Sequence, residues 1–297
     1  MSNMISIDAY CIPCILHVRA RELSKYIDKR ENRVKFMSKL AINVATYALK
    51  GMNITKVATQ SFRELKEYVK NNDPYRDEKD LANIVAEKIL KSIDKGKLSD
   101  FSFLLKLATV GNSIDFGVLG YEFNVENILN ELNKAVFRIN DEQRILGHLS
   151  KSKVVAYLLD NAGEAVFDRE LIKLIAKEYP QIKIYVVAKS GSFQNDITFS
   201  EALKLGFSNI GDNVKLVETG TDASSVFLDE ITPELLEIIA SSDLIMAKGM
   251  AHYEYLGSKD FKLKKNIVFM LKAKCSVVAS ALNVGLGEYV IKFVANN

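Results

Sequence analysis

Lys153-Val-Val-Ala-Tyr-Leu-Leu-Asp160-Asn161-Ala-Gly163-Glu164 is the stretch that decides the fold. A short, continuous apolar run reads as a strand buried on both faces, because a half-exposed strand alternates apolar with polar residues. The run stops at two adjacent oxygen-bearing side chains, then a glycine, then a helix that opens with Glu164. In an open α/β sheet, strand ends of this kind are where ligands bind.

Downstream the pattern repeats. Lys183–Ala188, Lys215–Glu218, Leu244–Ala247 and Asn266–Leu271 are further short runs rich in apolar residues. Helical segments Asp168–Tyr179, Thr198–Leu205 and Pro233–Ala240 separate the first four. Strands alternating with helices imply βαβ units and a parallel sheet. The helix starts are marked: Thr198-Phe-Ser-Glu201 fits a capping box, and Thr232-Pro233 fits an N-cap followed by proline at the first helical position. The chain closes with a helix, a turn through Gly285 and Gly287, and a last strand.

Upstream the period is that of helices. Apolar residues recur every three or four positions in Ile15–Ile27, Asn32–Lys50, Arg63–Lys70, Glu78–Ile93, Phe101–Val110 and Val125–Phe137. Pro74 marks a turn-like break. The expected organisation is α/β: a helical domain over residues 1–150, then an α/β domain with a mostly parallel sheet over 151–297. No low-complexity linker separates the two.

Asp160 and Asp196 lie 36 positions apart, close to the roughly 30 or more residues of one strand-helix-strand unit. A right-handed crossover returns the chain in the same direction, so both carboxylates fall on one edge of the sheet. Neighbouring strands would bring them within about 4.8 Å in the pairing direction. Asp160, Asn161 and Asp196 supply two carboxylates and an amide oxygen, the donor set that a Mg²⁺-type ion takes while keeping waters for phosphate. His and Cys, the usual zinc ligands, are not nearby in sequence. Turn formation or helix capping explains each residue taken singly. Lys248-Gly249 ends a later strand, where lysine can meet a phosphate as a point charge. Gly111-Asn112-Ser-Ile-Asp115 interrupts the helical half with two more polar groups, which capping explains equally well.

Composition narrows the class. The 297 residues carry 40 basic and 37 acidic side chains, for a net charge of +3. There is no basic stripe of the kind nucleic acid requires. No apolar run approaches the ~20 residues of a membrane span. Three cysteines make an odd number, and with no signal-peptide pattern at the N-terminus the expected location is the cytoplasm. Cys11-Ile-Pro-Cys14 with His17 offers three metal ligands where structural zinc wants four. Core packing on a helix is the favoured reading, completion by Cys275 or another histidine a second, and a redox pair a third. His148 reads as surface or interdomain packing.

The ordered set Gly111-Asn112-x-x-Asp115, Asp160-Asn161-x-Gly163-Glu164, Asn195-Asp196-x-Thr198 and Lys248-Gly249-x-x-x-x-Glu254 resembles the damage-control phosphatase family, also called DUF89. Cys11-Ile-Pro-Cys14, Asp73-Pro74-Tyr75 and Leu271-Lys-Ala-Lys-Cys275 resemble its prokaryotic branch. The resemblance implies a helical N-terminal part joined to a Rossmann-like three-layer α/β/α domain. It also implies a metal-dependent phosphatase for small phosphomonoesters, such as sugar phosphates or damaged phosphometabolites and nucleotides. By the same resemblance Asp160, Asn161 and Asp196 hold a divalent metal ion (Mn²⁺, Ni²⁺, Co²⁺ or Mg²⁺). Asp160, Asn112 and Asp115 take catalytic positions, and Lys248, Asn195 and His252 face the substrate. Many relatives carry Asn where this chain has His252, which puts substrate identity in question more than the reaction. Two other readings stay open: an S-adenosylmethionine-dependent carboxyl methyltransferase, and a non-catalytic metal- or sugar-phosphate-binding module. Against the first, the leading strand ends in acidic residues rather than a glycine-rich dinucleotide loop.

Overall fold

The computed structural model describes residues 7–114 and 127–296. Asp115, one of the expected catalytic residues, lies outside them. The first helices are α1 (Cys11–Ser24), α2 (Arg30–Leu49), α3 (Ile54–Val69), α4 (Arg76–Ser92), α5 (Phe101–Gly111) and α6 (Ile128–Lys134). Strand β1 (Phe137–Asn140) and helix α7 (Glu142–Leu149) follow. The alternating part then runs β2 (Val154–Leu158), α8 (Glu164–Glu178), β3 (Lys183–Ala188), α9 (Phe199–Lys204), β4 (Val214–Glu218), α10 (Pro233–Ser241), β5 (Leu244–Lys248) and α11 (Gly249–Leu256). It ends with β6 (Ile267–Lys272), α12 (Ser276–Leu282) and β7 (Tyr289–Val294).

Among the described residues seven strands form one sheet in the order β1-β7-β6-β5-β2-β3-β4. Every pairing is parallel except β6 with β7. Strand β2 sits between β5 and β3, with Leu158 opposite both Ala247 and Val187. Side chains alternate through the sheet: Val155, Tyr157 and Leu159 enter one core, and Ala156 and Leu158 enter the other. The first core is closed by α4, α5, α8 and α9, and the second by α10, α11 and α12. The result is the three-layer α/β architecture with a mostly parallel sheet.

Helices α1, α2 and α3 gather around a third cluster that includes Leu23, Leu40, Val44, Val57, Phe62 and Leu65. Phe193, from the loop after β3, inserts into that cluster and joins the helices to the sheet edge. Charges reinforce the joint. Arg63 pairs with Asp222 and Glu230, and Lys66 with Asp222, across the gap to the loop after β4.

Two local expectations change. The helix read over Arg63–Lys70 is the second half of α3, which starts at Ile54 behind an N-cap made by the Asn53 side chain. The helix read over Val125–Phe137 ends at Lys134, and Phe137 instead begins β1 at the sheet edge beside β7. Phe137-Arg-Ile-Asn140 is too short for its period to be told from a helical turn. Residues on both sides of position 150 therefore feed one sheet. The capping box at Thr198–Glu201 and the Thr232 N-cap with Pro233 are both formed as the spacing implied.

Candidate active site

Asp160 follows β2 and Asp196 follows β3, and their strands are paired neighbours. Asn161 and Asp196 make an isolated bridge, and the Ile197 amide donates to the Asp160 carbonyl at 2.8 Å. The two loops are thereby stitched together, and both carboxylates are almost fully buried.

Amides fix the Asp160 carboxylate from one side. Asn112 Nδ2 donates to Asp160 Oδ2 at 3.0 Å, and Asn161 Nδ2 donates to the same oxygen at 2.9 Å. Both amides also donate to Glu164. Among the described residues no hydrogen bond goes to Asp160 Oδ1. Asn195 Nδ2 donates to Asn161 Oδ1 at 2.9 Å, which aligns the asparagine and leaves that oxygen a second lone pair. Gly249 closes the other flank with φ +77°, and a Cβ there would lie 1.9 Å from Asp160 Oδ2. Only glycine permits this approach. It also sets the positive end of α11 against the carboxylate.

Burial and then the neighbouring carboxylates of Asp196 and Glu164 push Asp160 well above the usual carboxylate range, while Lys274 and Lys189 partly offset them. Lys189 Nζ stands 2.9 Å from Asp196 Oδ2. The floor of the site thus concentrates negative charge away from water, a situation relieved by a proton or a cation.

Lys248 lies elsewhere than its sequence position suggested. It is fully buried and does not line the cavity: its Nζ contacts Glu164 at 2.6 Å, Asp168 at 2.8 Å and the Ala108 carbonyl at 2.6 Å. Burial works against its charge, but Asp168 and Glu164 hold its pKa above the ordinary lysine value. Lys248 therefore neutralises the carboxylates under the site rather than facing a ligand. His252 is likewise buried, with Nδ1 against Ser225 Oγ at 2.8 Å and Nε2 against the Leu159 carbonyl at 3.3 Å. Burial, with help from Lys189, lowers its pKa to about 3, so it is neutral at ordinary pH. Asn112 sits beneath Asp160 rather than on the cavity wall.

Above the floor is a cavity of about 460 Å³. Asp160, Asn161, Asn195 and Asp196 form its polar base. Its upper wall comes from α1 and α3, through Cys11, Cys14, Ile15, Val18 and Ile54, and from Cys275 and Leu286. Three charged residues on the wall escaped the sequence reading in this role: Arg19, Glu254 and Lys274. Lys274 follows the end of β6, and the strand-end rule could have singled it out. Burial raises the Glu254 carboxyl to about 7. Cys11, Cys14 and Cys275 form no disulfide among the described residues, and burial raises Cys11 and Cys275 to about 11. Among the described residues no group of three His, Cys, Asp or Glu side chains is placed to hold a metal. The donor set of Asp160, Asn161 and Asp196 is a different kind, with one amide among two carboxylates. Its hardness, its negative charge, which Lys189 and Lys274 offset only in part, and the Asp160 oxygen left without a hydrogen bond fit a small divalent cation.

Comparison with known proteins gives a consistent picture. A family model described as the damage-control phosphatase ARMT1-like domain matches residues 7–290. A damage-control phosphatase of Archaeoglobus fulgidus is 35% identical over 261 residues, covering 86% of this chain and 87% of that protein. The Pyrococcus horikoshii damage-control phosphatase PH1575 is 31% identical over 229 residues, covering 77% of each. The crystal structure of a DUF89 family protein from Pyrococcus horikoshii superimposes with a TM-score of 0.83 at 27% identity, covering 99% of this chain and all of that one.

Proposed function

The chain belongs to the damage-control phosphatase ARMT1-like domain family, and from that premise we propose that it is a phosphatase hydrolysing small phosphomonoesters in the cavity above Asp160 and Asp196. The observation that carries the reading is the convergence of two buried carboxylates, from neighbouring strand ends, on the base of that cavity. Carboxylates alone would repel a phosphate, so the reading includes a divalent cation held by Asp160, Asn161 and Asp196. Such an ion, when bound, polarises phosphoryl oxygens and lowers the pKa of a bound water.

The protein's own groups do the rest. Asn112 and Asn161 orient the Asp160 carboxylate through Oδ2, leaving Oδ1 for the reacting side. Lys189 places positive charge beside Asp196, and Lys274, on the cavity wall, favours charge gathering on the phosphoryl oxygens. Lys248 and His252 act from behind: the lysine balances Glu164 and Asp168, and the neutral imidazole braces the Leu159 carbonyl. Hydrolysis forms one P–O bond from water and breaks the ester P–O bond. Glu254, neutral below about pH 7, is a proton source for the departing oxygen. The walls above the base are largely apolar. Substrates of this class are small phosphorylated metabolites. Three cysteines outside any disulfide match a reducing, cytoplasmic setting, and no helix of the described residues is long and apolar enough to cross a membrane.

A phosphate-release screen over sugar phosphates, phosphometabolites and nucleotides tests the reading, run after chelation and with Mn²⁺, Co²⁺, Ni²⁺ or Mg²⁺ added back. Activity should vanish on chelation and return with at least one ion. Asp160→Asn and Asp196→Asn should each lose about 100-fold or more while staying folded by circular dichroism. Folded variants with full turnover would sink the assignment. Rapid quench in acid, looking for a phosphorylated Asp160, separates direct attack by water from attack by the carboxylate.

A further inference from the structure

We propose that Arg19 is an oxyanion anchor for the substrate, so that preferred substrates carry, besides the phosphate, a second acidic group on the alcohol portion. The inference rests on the phosphatase reading above and adds the class of substrate.

Arg19 lies in the buried stripe of α1 with Ile15, Val18, Glu22 and Leu23. It is only 2% exposed and lines the cavity. Its guanidinium is placed over the Phe62 ring, 4.8 Å from the centroid, and its Nε stands 3.1 Å from Glu22 Oε2. Nε and Nη1 nevertheless make no hydrogen bond of good geometry among the described residues. A buried guanidinium with unspent donors calls for an acceptor, and the planar fork suits a carboxylate or phosphate.

The group is also rigidly referenced to the site. Glu22 accepts from Tyr75 Oη at 2.6 Å and from Gln194 Nε2 at 3.2 Å through Oε1. Gln194 immediately precedes Asn195 and Asp196, and its backbone is held at φ +45°, unusual for a side-chain-bearing residue. The Asp196 loop and the Arg19 pair are therefore braced by one network. Lys274 and Lys189 are the cations felt by Asp160. Of the two, Lys274 lines the cavity and belongs with the reacting phosphate at the base, while Lys189 is paired with Asp196. Arg19 reaches the same cavity from α1, a different element from the one that carries Lys274, and is left to recognise the other end of the substrate. The rest of the lining is largely apolar, with Val18, Ile54, Phe193 and Met250. This suits a carbon skeleton separating two acidic groups.

The test is a pair of substrate series assayed with the activating cation. ω-Phosphooxy carboxylates of two to six carbons are compared with alkyl phosphates of matched length, and α,ω-bisphosphates form a third arm that separates carboxylate from phosphate recognition. At the best length the acidic series should exceed the neutral one in kcat/KM by about tenfold or more, the worth of one charge-assisted hydrogen bond. The gain should appear chiefly in KM. Arg19→Gln should bring the ratio near one, while Arg19→Lys, which keeps the charge without the fork, should retain part of it. Wild-type protein with no acidic preference at any length overturns the proposal even if the glutamine variant does not fold. A preference that survives in folded Arg19→Gln also overturns it. Calorimetric titration with ω-phosphonocarboxylates and alkylphosphonates reads the anchor without turnover. Carboxylate-dependent, Arg19-dependent binding in a protein that releases no phosphate would refute the phosphatase reading and leave the anchor standing. Equal binding of both phosphonates would refute the anchor.

Discussion

At the scale of single residues, the site separates groups that face the cavity from groups that set their charge. Lys248 is the instructive case. At the end of a strand beside a glycine it resembles a phosphate ligand, yet strand alternation already places it on the face of Leu244 and Met246, toward the core under α8 where Glu164 and Asp168 wait. Asp160 is on the face of Ala156 and Leu158 by the same count. The residue types of the floor were readable because they follow strands directly. Arg19 was not, because a charged residue on an amphipathic helix ordinarily marks the solvated side, and only the docking of α1 onto the sheet edge buries it. Glu254 yields a prediction at this scale. Burial holds its proton on up to about pH 7, so turnover should fall as pH rises through that value. In Glu254→Gln the alkaline limb should disappear from the pH profile of kcat, at a lower plateau. Retention of the wild-type limb would assign it to another group.

At the scale of elements, the decisive contact is the start of α11 against the end of β2. Gly249 combines a left-handed backbone with an approach to Asp160 that has no room for a methyl group. Gly249→Ala should cost about 1–2 kcal/mol for the backbone conformation alone, and more once Asp160 is displaced. A lowered Tm together with a large loss of kcat is expected, and unchanged kcat would show that the carboxylate needs no such confinement. Elements with strong caps or full burial were legible from sequence, among them β2, β3, α9 and α10. β1 was not, since four residues at a sheet edge acquire their state from pairing with β7 rather than from their own pattern.

At the scale of the whole molecule, the helical layer of α1–α3 and the sheet are held by the Phe193 plug and the Arg63–Lys66–Asp222–Glu230 network. Burial opposes the charge of Asp222, but Lys66 and Arg63 overcome it and hold its carboxyl below the usual range. A depressed carboxylate contributes stability at neutral pH and loses it as pH falls below roughly 4, toward its folded pKa. Asp222→Ala should lower unfolding stability by about 1–3 kcal/mol in urea titrations at pH 7. The deficit should shrink in acid as the wild type loses the same interaction. A deficit independent of pH would deny the charge network that role. The layer architecture followed from periodicity, but the docking of the layers rests on contacts more than 100 positions apart, which no local pattern encodes. The cavity has one further consequence. Its wall joins Cys11 to Leu286, and β1 must wait for β7 to pair. During synthesis the first helix therefore emerges long before its opposite wall exists. A nascent chain holds every residue of the cavity floor before Leu286 completes the wall above it, so the floor is made first and the surroundings that desolvate it are made last.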